Sequence, residues 1–127
     1  MLQGGTGKFG LEVVGESNYQ KALIRAKASA RRLDDRLCID VFVRREPTNP
    51  KDPDAAQILA VNGDCLGYLS RDRAQQYRRV LGLCAAADIE VQCVGVLAGE
   101  PSIGIRLDLA FPSELTKRLK AMSLAHP

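Results

Sequence analysis

The chain has 127 residues, 46% of them hydrophobic, and a net charge of +3 with a pI near 8.8. That length supports one core and excludes a helicase motor or a second domain alongside it. The charge is too mild for binding driven by phosphate neutralisation alone, so any nucleic-acid contact has to be local. No apolar run reaches the roughly eighteen residues needed to cross a bilayer, and no signal-peptide core follows Met1, so a cytoplasmic protein without membrane contact is expected.

Residues 1–7 are glycine-rich and read as a flexible N-terminal segment. Within them and just beyond, Gly4 to Lys8 (GGTGK) hints at a phosphate loop. The spacing fails, however: Phe9 stands where Ser or Thr is needed, and no strand precedes it. Phe9, Leu11 and Val13 alternate as a first strand. Gly15 then marks a bend, and Ser17 or Asn18 is placed to cap a helix running to about Arg31. Ala22, Leu23, Ala26 and Ala30 form its buried stripe. Lys21, Arg25 and Arg32 lie on an outer basic face whose commonest meaning is solvation.

Leu37, Ile39, Val41 and Val43 alternate with Cys38, Asp40, Phe42 and Arg44 as a half-buried strand. Next comes RREPTNPKDPDAA, in which Pro47, Pro50 and Pro53 each fix φ and restrict the residue before them, so Lys51 and Asp52 are held between rigid points. Such a loop either presents a ligand site at low ordering cost or simply joins two strands. Ala56, Ile58 and Ala60 follow as a strand, and Asn62-Gly63 is a hairpin signal leading into Cys65 to Leu69. Ser70 caps a second helix with Asp72 in its first turn. Its apolar side is Ala74, Tyr77 and Leu81, and its polar side is Arg71, Gln75 and Arg78. Two further strands, Ile89 to Ala98 and Ile103 to Phe111, are joined by the turn residues Gly99 to Ser102. The tail, 113–127, contains a short amphipathic helix with Leu115, Leu119 and Met122 on one side. Six strands with two or three helices predict a mainly β protein built as a six-stranded β-barrel.

Catalysis is not expected. Cys38, Cys65, Cys84 and Cys93 are far apart with no C-x-x-C pair, and read as reduced, mostly buried thiols. His126, beside the C-terminal Pro127, is badly placed as a base. No metal site or cofactor is spelled out, and the scattered acids form no catalytic pair.

Four blocks in order, VVGESNYQKAL (13–23), REPTNPKDPDAA (45–56), CLGYLSRDRAQQY (65–77) and GIRLDLAF (104–111), resemble the HIRAN domain in its bacterial, stand-alone form, here spanning about 8–112. The resemblance implies an OB-fold-related barrel that grips the 3′-hydroxyl end of single-stranded DNA in repair or replication-fork processing. It also implies a helicase or nuclease partner on another chain. It places Ser17, Asn18, Tyr19, Lys51, Asp52, Tyr68, Arg71 and Ile103 at the nucleic-acid-binding positions.

The chemistry of these residues is compatible with that role. A carboxylate at Asp52 would accept a hydrogen bond from a free hydroxyl and repel a further phosphate, although an Asp in a proline-rich turn also commonly caps the next turn. Tyr19 and Tyr68 are either stacking faces or core residues. Arg71, at a helix start, can reach a backbone phosphate or stay solvated. Helicase-linked members look to carry a basic and then an aromatic residue at Ser17 and Asn18, and an aromatic at Lys51. They also look to have a histidine at Tyr68 and an aromatic at Ile103. The alternative expectation is a protein-interaction module of a bacterial repair or phage-related system, without end recognition.

Overall fold

The alternating apolar residues read from the sequence do become strands, and they close on one another. The structure, a computed structural model, describes residues 1–125; His126 and Pro127, with the end of the predicted tail, lie outside the described residues. In chain order the elements are β1 (Leu2–Gln3), β2 (Leu11–Val14), a single 3-10 turn (Glu16–Asn18), α1 (Gln20–Ala28), β3 (Arg31–Leu33), β4 (Arg36–Arg45), β5 (Ala56–Ala60) and β6 (Cys65–Leu69). They are followed by α2 (Arg71–Ala86), β7 (Val91–Ala98), β8 (Gly104–Asp108) and α3 (Pro112–Ala125). Strands β4, β5, β6, β2, β8 and β7 pair antiparallel in that cyclic order, because β4 is long enough to meet both β5 and β7. The fold is therefore mainly β, with three helices around a closed six-stranded antiparallel barrel, as expected.

Period-two burial fills the barrel. Val41, Ile58, Leu66 and Leu107 are fully enclosed, and α1 adds Leu23, α2 adds Tyr77 and α3 adds Leu115 from outside the sheet. Three local devices set the register. Gly63, at φ 94°, closes the β5–β6 hairpin, where the Asp64 amide donates to Asn62 Oδ1 at 2.9 Å, a turn chemistry the sequence announces. Gly67, at φ 151°, passes so close to β2 that a Cβ there would lie 2.5 Å from Val13 Cγ1. Ser70 caps α2, its Oγ accepting from the Arg73 amide at 3.3 Å.

Three expectations need correction. Neither Ser17 nor Asn18 caps α1: both sit in the 3-10 turn, and Tyr19 precedes the helix without a side-chain cap bond. The helix stops at Ala28 rather than Arg31, because Asp34 and Asp35, both at positive φ, fold Arg31–Leu33 back onto Arg36–Cys38 as a hairpin strand. Arg32 therefore lies on β3, not on a helix face.

The N-terminal residues, expected to be loose, pack on the barrel. Leu2 is 2% exposed, and β1 runs parallel beside β7. The GGTGK run does surround an anion, but the anion is the chain's own: the amides of Thr6, Gly7 and Lys8 donate to the Asp108 carboxylate at 2.7, 2.7 and 3.2 Å. Burial alone would raise the Asp108 pKa, but these amides together hold it below the usual carboxylate value. Over this segment lies α3, whose Arg118 Nη1 donates to the carbonyls of Gln3 and Gly5 at 2.8 and 3.0 Å. Leu115 and Leu119 are buried and Met122 packs against the core, so the amphipathic tail docks on its own barrel.

Candidate nucleic-acid interface

Two tyrosines meet on the outside of the barrel. Tyr68 stands on β6, with Gln57 of β5 and Val14 of β2 as its cross-strand partners. Tyr19 arrives from the other direction: Gly15, at φ 77°, turns the chain out of β2 into the 3-10 turn, which delivers Tyr19 to the start of α1. Their ring centroids are 6.2 Å apart with planes inclined at 54°, a tilted aromatic contact. Both rings are half-buried. Ser17 and Asn18 are exposed beside them, lining with Lys21, Arg25, Asp64 and Cys65 an open groove of about 630 Å³.

The hydroxyl of Tyr68 is anchored by Glu46, donating to Oε1 at 3.3 Å and Oε2 at 3.1 Å. Burial first, then the contacts with Tyr19 and Glu46, push its pKa well above that of a free phenol, so it remains a neutral donor. Glu46 also accepts from Asn49 Nδ2 at 2.7 Å. Asn49 Oδ1 in turn accepts from the amides of Lys51 and Asp52, at 2.9 and 3.1 Å. A single chain of hydrogen bonds thus runs from the β6 tyrosine to the tip of the proline-rich loop.

At that tip Lys51 is exposed and the Asp52 side chain is 22% exposed. Asp52 does what an Asp in such a turn commonly does, accepting from the Asp54 amide through Oδ1 at 3.0 Å. That leaves Oδ2 turned toward Arg71 Nε, 3.9 Å away. A second ion pair, Arg78 to Asp54 at 3.6 Å, also ties the loop to α2. Arg71 itself is 72% exposed, so its guanidinium is accessible as well as paired.

Ile103 does not join this cluster. It is 7% exposed and belongs to the core, while its amide and carbonyl are held by Gln20 Oε1 and Nε2 at 2.8 and 2.9 Å. Glu16 makes a companion bond, accepting from the Ile105 amide at 2.7 Å, so Tyr19 lies between two side chains clamped to the start of β8.

Glu46, Asn49, Glu16 and Gln20 are absent from the sequence-based site. Asn49 carried a signal, as an Asx residue inside a proline-rich loop. Glu46 carried none, because its partner is 22 residues away. Among the described residues no cluster of three His, Cys, Asp or Glu could hold a metal ion, and no helix is long and apolar enough to cross a membrane.

The crystal structure of the HIRAN domain of human HLTF is similar over 87% of this chain and 84% of that one, at 18% identity and a TM-score of 0.48. A Lactobacillus plantarum protein of solved structure is similar over 77% of this chain and 90% of its own, at 20% identity and a TM-score of 0.47. No curated protein matches. The HIRAN domain family model matches residues 7–115, and this chain therefore belongs to the HIRAN domain family.

Proposed function

We propose that this domain binds single-stranded DNA at the Tyr19–Tyr68 face and recognises a free 3′-hydroxyl through Asp52. The family membership supports nucleic-acid binding in general. The observation that carries the finer reading is the convergence of two accessible tyrosine rings with an Asp that keeps one carboxylate oxygen, Oδ2, free of backbone bonds. Bases stack on such rings for roughly 1 to 3 kcal/mol each. Oδ2 can accept from a hydroxyl, with Arg71 placed to take the adjoining phosphate, whereas a terminal phosphate would face a carboxylate. Ser17, Asn18 and Lys51 offer polar contacts on either side. The domain works by binding, without catalysis, in repair or replication-fork processing beside a helicase or nuclease on another chain.

Fluorescence anisotropy with two otherwise identical oligonucleotides tests this. The strand ending in a 3′-hydroxyl binds several-fold more tightly than the one ending in a 3′-phosphate; equal affinity would sink the end-recognition reading.

A protein-interaction module is the second reading. It is favoured by Asn18 and Lys51, exposed positions without an aromatic face, which leave only the two tyrosines for stacking. Binding to a partner protein, with no affinity for oligonucleotides at any salt concentration, is its signature.

A further inference from the structure

Two grooves meet along α1. The first holds Ser17, Asn18 and Tyr19 beside Arg25 and Asp64, in about 630 Å³. The second, of about 320 Å³, leads from Arg25 and Asp64 to Arg31 and Asp40. Ala22, Arg25 and Asp64 line both, so the two depressions adjoin beside this nine-residue helix, with the Arg25–Asp64 pair between them. At 1.5 Å per residue the helix length is about 13 Å, room for roughly four phosphates of a stacked strand at an axial spacing of about 3.4 Å.

Each arginine on this path is closed by one carboxylate. Arg25 Nε lies 2.9 Å from Asp64 Oδ2, and Arg31 Nη2 lies 2.9 Å from Asp40 Oδ1. Asp64 has a second donor in Asn62 Nδ2 at 3.1 Å, so it keeps a partner when Arg25 turns away. Surface pairs of this kind are weak, and a phosphate offers a guanidinium the same planar, two-point contact that a carboxylate does. A phosphate can therefore replace either carboxylate at low cost.

We propose that a DNA strand held by its end at the Tyr19–Tyr68 face continues along α1, its next phosphates replacing Asp64 on Arg25 and Asp40 on Arg31. This path presupposes end binding at the two tyrosines and adds the direction in which the strand leaves them. It also gives the two aspartates a role: they repel an arriving phosphate, so a short end binds without disturbing them and a longer strand has to displace them. Removing one of these acids should tighten the hold on long strands alone.

The test is anisotropy with a thymidine dinucleotide and a thymidine decanucleotide, both with free 3′-hydroxyls, on the parent protein, Asp40→Asn and Arg31→Ala. Asp40→Asn is expected to tighten decanucleotide binding about threefold and Arg31→Ala to weaken it about threefold, with dinucleotide affinity unchanged in both. Arg31→Ala should also flatten the decanucleotide's salt slope by about 0.7. The opposed directions separate this result from a loss of folding. If the dinucleotide binds and neither variant changes decanucleotide affinity, the α1 path is wrong and end binding stands. If only the decanucleotide binds, with the opposed responses intact, the α1 track stands and the end site is wrong. Binding of neither length overturns both.

Discussion

The Tyr68 hydroxyl and the Glu46 carboxylate share a two-point hydrogen bond, at 3.3 and 3.1 Å, across 22 residues of sequence. Through Asn49 the same carboxylate reaches the backbone of Lys51 and Asp52. The Tyr68 ring and the Asp52 backbone, the proposed stacking face and end sensor, are thereby held by one network, so their geometry is set before any ligand arrives. Preorganisation of this kind reduces the ordering cost of binding.

Asn49→Ala should therefore uncouple the two functions. Without Oδ1 the amides of Lys51 and Asp52 lose their acceptor and the loop tip loosens, while Tyr68 keeps Glu46. The expected result is that the preference for a 3′-hydroxyl over a 3′-phosphate falls toward unity, with the affinity for the 3′-phosphorylated strand little changed. An unaltered preference would show that the prolines and the loop's ties to α2 hold the tip without Asn49.

Replacements at Tyr68 divide ring from hydroxyl. Tyr68→Phe keeps the stacking face and loses the bond to Glu46, costing about 1 kcal/mol of stability in urea unfolding with little effect on DNA affinity. Tyr68→Ala should weaken binding by about 1 to 3 kcal/mol in a folded barrel. If the alanine variant instead melts far below the parent, and its folded fraction binds normally, then Tyr68 is a packing residue.

Salt dependence should be gentle. The basic groups near the loop and tyrosines are few: Lys21, Arg25, Lys51 and Arg71. With roughly 2 to 4 phosphates neutralised on a single strand, the slope of log K against log salt lies between about −1.5 and −3. Arg71→Ala should make the slope shallower by about 0.7. An unchanged slope removes Arg71 from the interface.

Acid should release the N-terminal segment. Asp108, 6% exposed, has its carboxyl held below the ordinary value of 3.8 by the Thr6, Gly7 and Lys8 amides. A group whose pKa is lowered by folding adds stability that is complete above its unfolded value and is lost as pH falls through its folded one. Asp108→Asn should therefore cost roughly 1 to 3 kcal/mol at pH 7. The difference from the parent should shrink progressively below pH 3.8, as read by urea unfolding at each pH. A constant difference down to pH 2 would mean that the charge of Asp108 contributes nothing.

Local signals in the chain determined most of the barrel. The alternation of Leu37 to Arg44, the Asn62-Gly63 turn, the Ser70 cap and the apolar side of α2 depend on period and turn chemistry within a few residues, and each stands where it was read. The four blocks of family resemblance lay in the sequence for the same reason, as contiguous runs. What tertiary structure alone decided is which distant groups satisfy one another. GGTGK lacked the spacing of a phosphate loop, and only the return of β8 shows its amides wrapped around Asp108, about a hundred residues away. Leu2 looked like part of a loose leader until β7 offered it an edge. Ile103, at an expected ligand-facing position, turns into the core because Gln20 holds its backbone against the start of α1. Buried amides and carboxylates need partners wherever the fold brings them, and long-range partnerships such as Tyr68 with Glu46 leave no periodic trace in the chain.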